Sequence, residues 1–287
     1  MEITAFPKSI QSRIAGLPFT ENSTGMSGSR VLMFPDMVLK AGKINALSQG
    51  TVEIMRWLEG RLPVPRILAY ETAGDQEYLL MTRVQGKMAC DREYLDAPDR
   101  LLPLLAEAIR MLWQVDISRC PRSRSLNEEL AHARKSLEAG IVDFSRCEKD
   151  TFGPGGFESP EKLLAWLENN RPPLEPAFSH GDCCLPNIFF SGSRVSGFID
   201  LGDSGVADKW RDLALCFRSL KHNTDGTYGH VVPGLRAEKL FDHLGIVQIS
   251  QIGFHVLQSA ALEVGFQQGR GNTRIVTVVH RAHSLSQ

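Results

Sequence analysis

Phe178-Ser-His-Gly-Asp-Cys-Cys-Leu-Pro-Asn-Ile-Phe-Phe-Ser-Gly-Ser-Arg-Val-Ser-Gly-Phe-Ile-Asp200 is the stretch from which the fold is read. Ile188 to Phe190 and Val195 to Ile199 are strand-like runs, and Ser191-Gly-Ser-Arg194 between them has the composition of a turn. A hairpin brings its open ends together. Asn187 precedes the first strand and Asp200 closes the second, so counting outward from the turn sets them within about a residue of facing each other. An amide carbonyl beside a carboxylate is a hard-oxygen pair suited to Mg²⁺. Asp182, five positions before Asn187, enters the hairpin on a loop and points into the same pocket without being a ligand.

The order Asp, then Asn, then Asp is the arrangement phosphoryl transfer requires. One carboxylate orients the accepting hydroxyl and takes its proton, while an Asp and an Asn hold the metals that bridge the phosphates. Protein kinases write this as HRD and DFG; here it is His180-Gly-Asp182 and Ile199-Asp-Leu-Gly202. Taken alone, an HGD tripeptide is most often a polar turn or a helix cap. The combined string with a hairpin behind it is far more specific.

Outward from this stretch the chain divides in two. Arg30-Val-Leu-Met-Phe-Pro-Asp-Met-Val-Leu-Lys40 holds two apolar runs around a Pro-Asp turn and predicts a hairpin. Val52, Ile54, Met55 and Leu58 recur at helical spacing around Trp57 until Gly60, Pro63 and Pro65 stop the helix. Glu77–Thr82 predicts another strand. Beyond about residue 95 the signals are helical. Asp99–Val115 carries leucines on one side, Asn127 is read as the N-cap of a helix ending near Gly140, Ser159-Pro160 is a helix start, and a further helix is read from Ala207 to Leu220. The expected fold is α+β and two-lobed. A small β-rich lobe spans 1–84, and a larger, mainly helical lobe spans 85–287. A ligand is expected in the cleft between them.

Composition narrows the function. Over 287 residues, 32 Lys+Arg stand against 33 Asp+Glu, a net charge of −1 that argues against a nucleic-acid partner gripped by bulk charge. No apolar run approaches the roughly 18 residues of a membrane span, and Met1–Arg13 lacks the layout of a signal peptide, so a soluble, cytoplasmic protein is expected. The six cysteines form no C-x-x-C pair, and reduced thiols are the expectation.

The run His180-Gly-Asp182…Asn187…Gly197-Phe-Ile-Asp-Leu-Gly202…Gly205…Ala207-Asp-Lys-Trp…Asp212 resembles the aminoglycoside phosphotransferases, most of all the 3′-O-phosphotransferases that act on kanamycin and neomycin. The resemblance covers about residues 20–245. It implies a two-lobed protein-kinase-like fold and ATP- and Mg²⁺-dependent phosphorylation of an aminoglycoside 3′-hydroxyl, and hence drug resistance. It also implies Asp182 as catalytic acid/base and Asn187 and Asp200 as Mg²⁺ ligands. Met26 and Ser27 match the phosphate-contacting pair of a Gly/Ser loop, Lys40 matches the lysine on the α- and β-phosphates, and the backbone of Thr82 and Val84 matches the adenine-binding linker. Residues 141–175 hold seven acids against four bases and resemble the insertion that faces the polycationic substrate, with Glu148 and Asp150 as the favoured contacts.

Three positions depart from the family pattern. Thr51 stands where a glutamate pairs with the strand lysine, and Glu53, two residues along a helix, faces elsewhere. Asp203 stands where a base is usual, and it either weakens nucleotide binding or faces solvent. The tail 247–287, with Glu263 as its one acid, is atypical. These departures motivate a competing reading as a non-catalytic nucleotide-binding homologue. Another competitor is a small-molecule kinase acting on choline or homoserine.

Overall fold

The computed structural model describes residues 6–22, 29–140, 151–154 and 156–246. In chain order the elements are α1 (Lys8–Ile14), β1 (Thr20–Asn22), β2 (Arg30–Met33), β3 (Met37–Lys43), α2 (Ser48–Leu58), β4 (Ile67–Ala73), β5 (Gln76–Thr82), β6 (Lys87–Met88), α3 (Arg92–Leu95), α4 (Pro98–Trp113), α5 (Leu126–Glu138), α6 (Pro160–Asn169), β7 (Pro176–Ser179), β8 (Ile188–Ser191), β9 (Arg194–Phe198), β10 (Gly205–Asp208), α7 (Lys209–Thr224) and α8 (Lys239–Leu244). Single 3₁₀ turns lie at Leu185–Asn187 and Leu201–Asp203. The architecture is the expected two-lobed α+β arrangement. Among the described residues no helix is long and apolar enough to cross a membrane.

The five-stranded antiparallel sheet runs β1-β2-β3-β5-β4. Its register sorts the side chains into two faces, because residues directly opposite each other share a side. Leu32, Leu39 and Leu80 are opposed across β2, β3 and β5 and are at most 1 % exposed. They pack against Phe6 and against Ile10 and Ile14 of α1. The other face carries Val31, Lys40 and Leu79 in one row and Met33, Val38 and Met81 in the next. A one-residue slip of a strand would turn its side chains to the opposite face, so the leucines that bury one face also decide where Lys40 points. Helix α1 and strand β4 were not anticipated, although Phe6, Ile10 and Ile14 recur at helical i, i+4 spacing.

The larger region is built around α4 and α7. Helix α4 buries Leu101, Leu102, Leu105, Ile109 and Leu112. Helix α7 is buried almost all round, with Leu213, Cys216 and Leu220 fully covered. Two helix starts differ from expectation. Helix α5 is capped by Ser125, whose hydroxyl accepts from the Asn127 N–H at 3.2 Å, because Ser125 holds the extended backbone a cap needs and Asn127 is already inside the helix. Helix α7 begins at Lys209. Ala207 belongs to β10, paired with Ala177 of β7, and Asp208 caps the helix by accepting from the Trp210 N–H.

The crossing between the two regions is short and tightly fastened. Lys87 and Met88, directly after it, pair with Phe190 and Phe189 of β8. The Ser196 hydroxyl donates to the Gln85 carbonyl at 2.6 Å. Gly86 has φ +103°, and a Cβ placed there would lie 2.1 Å from the Phe190 carbonyl oxygen. Replacing Gly86 with alanine is therefore expected to lower stability by about 1–3 kcal/mol. The check is the urea midpoint of unfolding, and an unchanged midpoint would show that this backbone moves aside at no cost.

Candidate active site

The hairpin β8–β9 forms as read, with Ile188 opposite Phe198 and Ser191 opposite Arg194. The Ile199 N–H donates to the Asn187 carbonyl at 3.0 Å, so the pairing extends to the residue before Asp200. The Asn187 side-chain amide donates to the Asp182 backbone carbonyl and to its Oδ2, both at 2.9 Å. These contacts turn the Asn187 amide nitrogen toward Asp182 and leave Oδ1 as its donor to a cation. Lys40 reaches across the cleft from β3, its Nζ 3.4 Å from Asp200 Oδ1. Asp200 adopts φ 61°, ψ 58° and is the one non-glycine residue with positive φ among the described residues. Asp tolerates this region better than most residues, but it persists only where neighbours enforce it.

The loop before the hairpin is held from below. Asp212 of α7 is 1 % exposed. Its Oδ2 accepts from the His180 N–H at 2.6 Å, and its Oδ1 from the Gly181 N–H at 3.0 Å and the Ser179 hydroxyl at 3.1 Å. Burial pushes its carboxyl above the usual aspartate range, while His180 and the backbone donors pull it back. His180 is itself a bridge. Its Nε2 lies 2.8 Å from the Ile199 carbonyl, and its Nδ1 lies 3.3 Å from the Asp182 N–H, which fits the tautomer with the proton on Nε2. The residue before Asp200 and the backbone of Asp182 are thereby tied to one ring.

Above this cluster lies a cavity of about 480 Å³. Its roof is the second face of the sheet, with Val31, Val38, Lys40 and Met81. Its side is Thr82 to Gly86, and its floor is Phe189, Ile199 and Asp200. The Thr82 and Arg83 N–H groups are already used, by the carbonyls of Arg66 and Asp36. An apolar slot that ends on Lys40 and a carboxylate suits a flat base carrying a polyphosphate. Asp200 and Asn187 Oδ1 are hard oxygen donors beside that end, so the residues fit Mg²⁺.

The structure brings together Asp182, Asn187, Asp200 and Lys40, with Thr82 and Val84 on the cavity wall. Met26, Ser27, Glu148 and Asp150 lie outside the described residues, as does the tail from residue 247. Of the acids in 151–175, Glu161 accepts from Ser159, Glu168 pairs with Arg134, and Glu175 pairs with Lys209 and the Trp210 indole. Local partners thus absorb charge that the composition alone assigned to a substrate.

Two departures are answered. Thr51 lines the cavity and donates to the Leu47 carbonyl, and Lys40 takes Asp200 as partner in place of a helix glutamate. Asp203 is not simply turned to solvent. It pairs with Arg124 at 3.0 Å, with side chains 18 % and 20 % exposed. The organising role of Asp212 and the Arg122 and Arg124 contacts were not read from the sequence. For Asp212 the signal was its place in the quoted motif. The two arginines left no signal beyond an alternating Arg-Ser-Arg.

The phosphotransferase enzyme family model matches residues 29–237. An aminoglycoside 3′-phosphotransferase of Enterococcus faecalis is 41 % identical over 198 residues, 68 % of this chain and 70 % of that protein. The crystal structure of a type VIII aminoglycoside 3′-phosphotransferase superposes with a TM-score of 0.69 at 28 % identity, covering 87 % of this chain and 95 % of that one. An aminoglycoside phosphotransferase from Streptomyces rimosus, solved with ADP and streptomycin, shares the fold with a TM-score of 0.71 at 23 % identity, over 91 % of this chain and 99 % of that one.

Proposed function

Because the chain belongs to the phosphotransferase enzyme family, we propose that it transfers the γ-phosphoryl group of ATP to the 3′-hydroxyl of an aminoglycoside and so confers resistance to it. The observation that carries this reading is the Lys40–Asp200 pair at the polar end of an apolar cavity, with the hydrogen-bonded Asn187 and Asp182 joined to the residue before Asp200 through the hairpin. The likeness to the Enterococcus faecalis aminoglycoside 3′-phosphotransferase supports the substrate class and the position.

In this reading adenine lies against Val31, Val38 and Met81, with the Thr82 carbonyl and the Val84 N–H at its edge. Lys40 pairs with the phosphates. Asp182 orients the acceptor hydroxyl and takes its proton on Oδ1, because Oδ2 is held by the Asn187 amide. Asn187 and Asp200 hold Mg²⁺, which when bound neutralises the charge that develops on the transferring group. Catalysis rests on positioning more than on strong proton abstraction, so the rigidity of the loop beneath Asp182 matters as much as its basicity. Glu148 and Asp150 are proposed substrate contacts, along with Met26 and Ser27 on the phosphates.

The test is release of ADP by the purified chain with ATP, Mg²⁺ and either kanamycin or a 3′-deoxy aminoglycoside. Release with kanamycin well above background, and background release with the 3′-deoxy compound, is expected. Equal turnover of the two would refute the 3′ assignment. Turnover of choline or homoserine in place of both would move the chain to another substrate class.

A further inference from the structure

The segment before α5 pairs with β10. The Val206 N–H donates to the Arg122 carbonyl at 2.8 Å, and the Arg124 N–H donates to the Val206 carbonyl at 2.7 Å. In extended chain, residues 122 and 124 share a side. That side faces the 3₁₀ turn that follows Asp200. Arg122 donates through Nε to the Ser204 carbonyl and through Nη2 to the Leu201 carbonyl at 3.2 Å. Arg124 donates to the Gly202 carbonyl at 3.3 Å, the Asp203 carbonyl at 3.2 Å and Asp203 Oδ1 at 3.0 Å. Every carbonyl from Leu201 to Ser204 is held by one of two guanidinium groups.

This turn touches both halves of the site. It begins directly after the left-handed backbone of Asp200. On its other side Gly181, at φ +82°, comes so close that a Cβ there would lie 2.2 Å from the Asp203 carbonyl oxygen. Gly181 precedes Asp182. Arg122 also reaches the small lobe, since a Cβ on Gly50 of α2 would lie 3.0 Å from its Nη1.

We propose that Arg122 and Arg124 are positioning residues that hold the turn after Asp200 in register with Asp182, and that Asp203 is the counter-charge fixing Arg124 in that task. This rests on the phosphoryl-transfer reading above, because it assigns Asp200 to the metal. The pair is mostly covered, so it is not discounted as an open surface contact. Groups that orient a metal ligand typically contribute about 10-fold or more in metal affinity or activity.

The experiment is a double-mutant cycle of Arg124→Ala, Asp203→Ala and the pair. Mg²⁺-dependent binding of AMP-PNP is measured by calorimetry, with kcat, the KM for kanamycin and the thermal midpoint alongside. Each single variant is expected to raise the Mg²⁺ concentration for half-maximal nucleotide binding about 10-fold and to lower kcat by a similar factor. The KM for kanamycin should stay the same, and the double variant should be little worse than Arg124→Ala. Asp203→Asn, a gentler change, keeps the question open if a variant fails to fold, and it should shift the Mg²⁺ requirement in the same direction. A loss of thermal midpoint with unchanged Mg²⁺ requirement and kcat would overturn the proposal, as would fully additive effects. If the unmutated chain released no ADP, the function proposed above would fail, while the Mg²⁺ titration would still report on the turn.

Discussion

Replacing Asp182 with alanine is expected to lower kcat for the aminoglycoside by about 10²–10⁴-fold, the usual contribution of a positioned acid/base group. The argument is geometric. Asp182 stands on the loop between β7 and β8, and among the described residues the side-chain hydrogen bond to its carboxylate comes from Asn187. Little of the fold depends on that bond. Its backbone N–H and carbonyl, which contact His180 and Asn187, survive the substitution. Turnover should therefore collapse while the thermal midpoint moves by only a few degrees. Steady-state kinetics and a melting curve on the same preparation decide it. A kcat within a few-fold of the parent would remove Asp182 from the chemistry.

Replacing Asp212 with alanine is expected to damage both fold and turnover. The carboxylate is buried, and it accepts from two backbone N–H groups and a hydroxyl. The Ser179 hydroxyl can turn toward another acceptor, and the Gly181 N–H keeps a second contact to that hydroxyl at 3.1 Å. The His180 N–H is left buried without an acceptor. A cost of about 3 kcal/mol follows for losing charge-assisted buried bonds and stranding a donor. That is a large share of the roughly 5–15 kcal/mol by which domains are stable. The folded fraction should also turn over about 10²-fold more slowly, because a loop displaced by an ångström misaims Asp182. Urea unfolding reads the first effect, and kcat corrected for folded protein reads the second. A variant with parental midpoint and kcat would show that the loop is held by something else.

Much of the site was legible because it is local. The hairpin and its turn were written in alternating apolar residues, and its register alone set Asn187 beside the residue before Asp200. Helix α6 was announced by Ser159-Pro160, and α2 by the spacing of Val52, Met55 and Leu58. The contacts that were not legible join distant parts of the chain. Asp212 lies about thirty residues after His180, and only the packing of α7 under the loop makes it an acceptor for that backbone. Arg122 and Arg124 read as loop charges until β10 supplied a strand for their segment to pair with. The partner of Asp203 was not legible for the same reason, since it is seventy-nine positions away. Charge counting over 141–175 is a weak guide for a different reason. A local excess of acid says nothing about whether Glu168 and Glu175 already have partners.

The contact between Lys40 and Asp200 has a thermodynamic consequence. Across the resting cleft an ammonium tethered to the sheet already compensates the carboxylate proposed to hold a divalent ion. A free cation must compete with it. Phosphates give the ammonium another partner and so lift that competition from Asp200. By linkage the favour is returned in equal measure: whatever satisfies Asp200 releases Lys40 for the nucleotide. Under the proposed function, this single ion pair makes the binding of nucleotide and of metal positively cooperative, with no movement of the fold required.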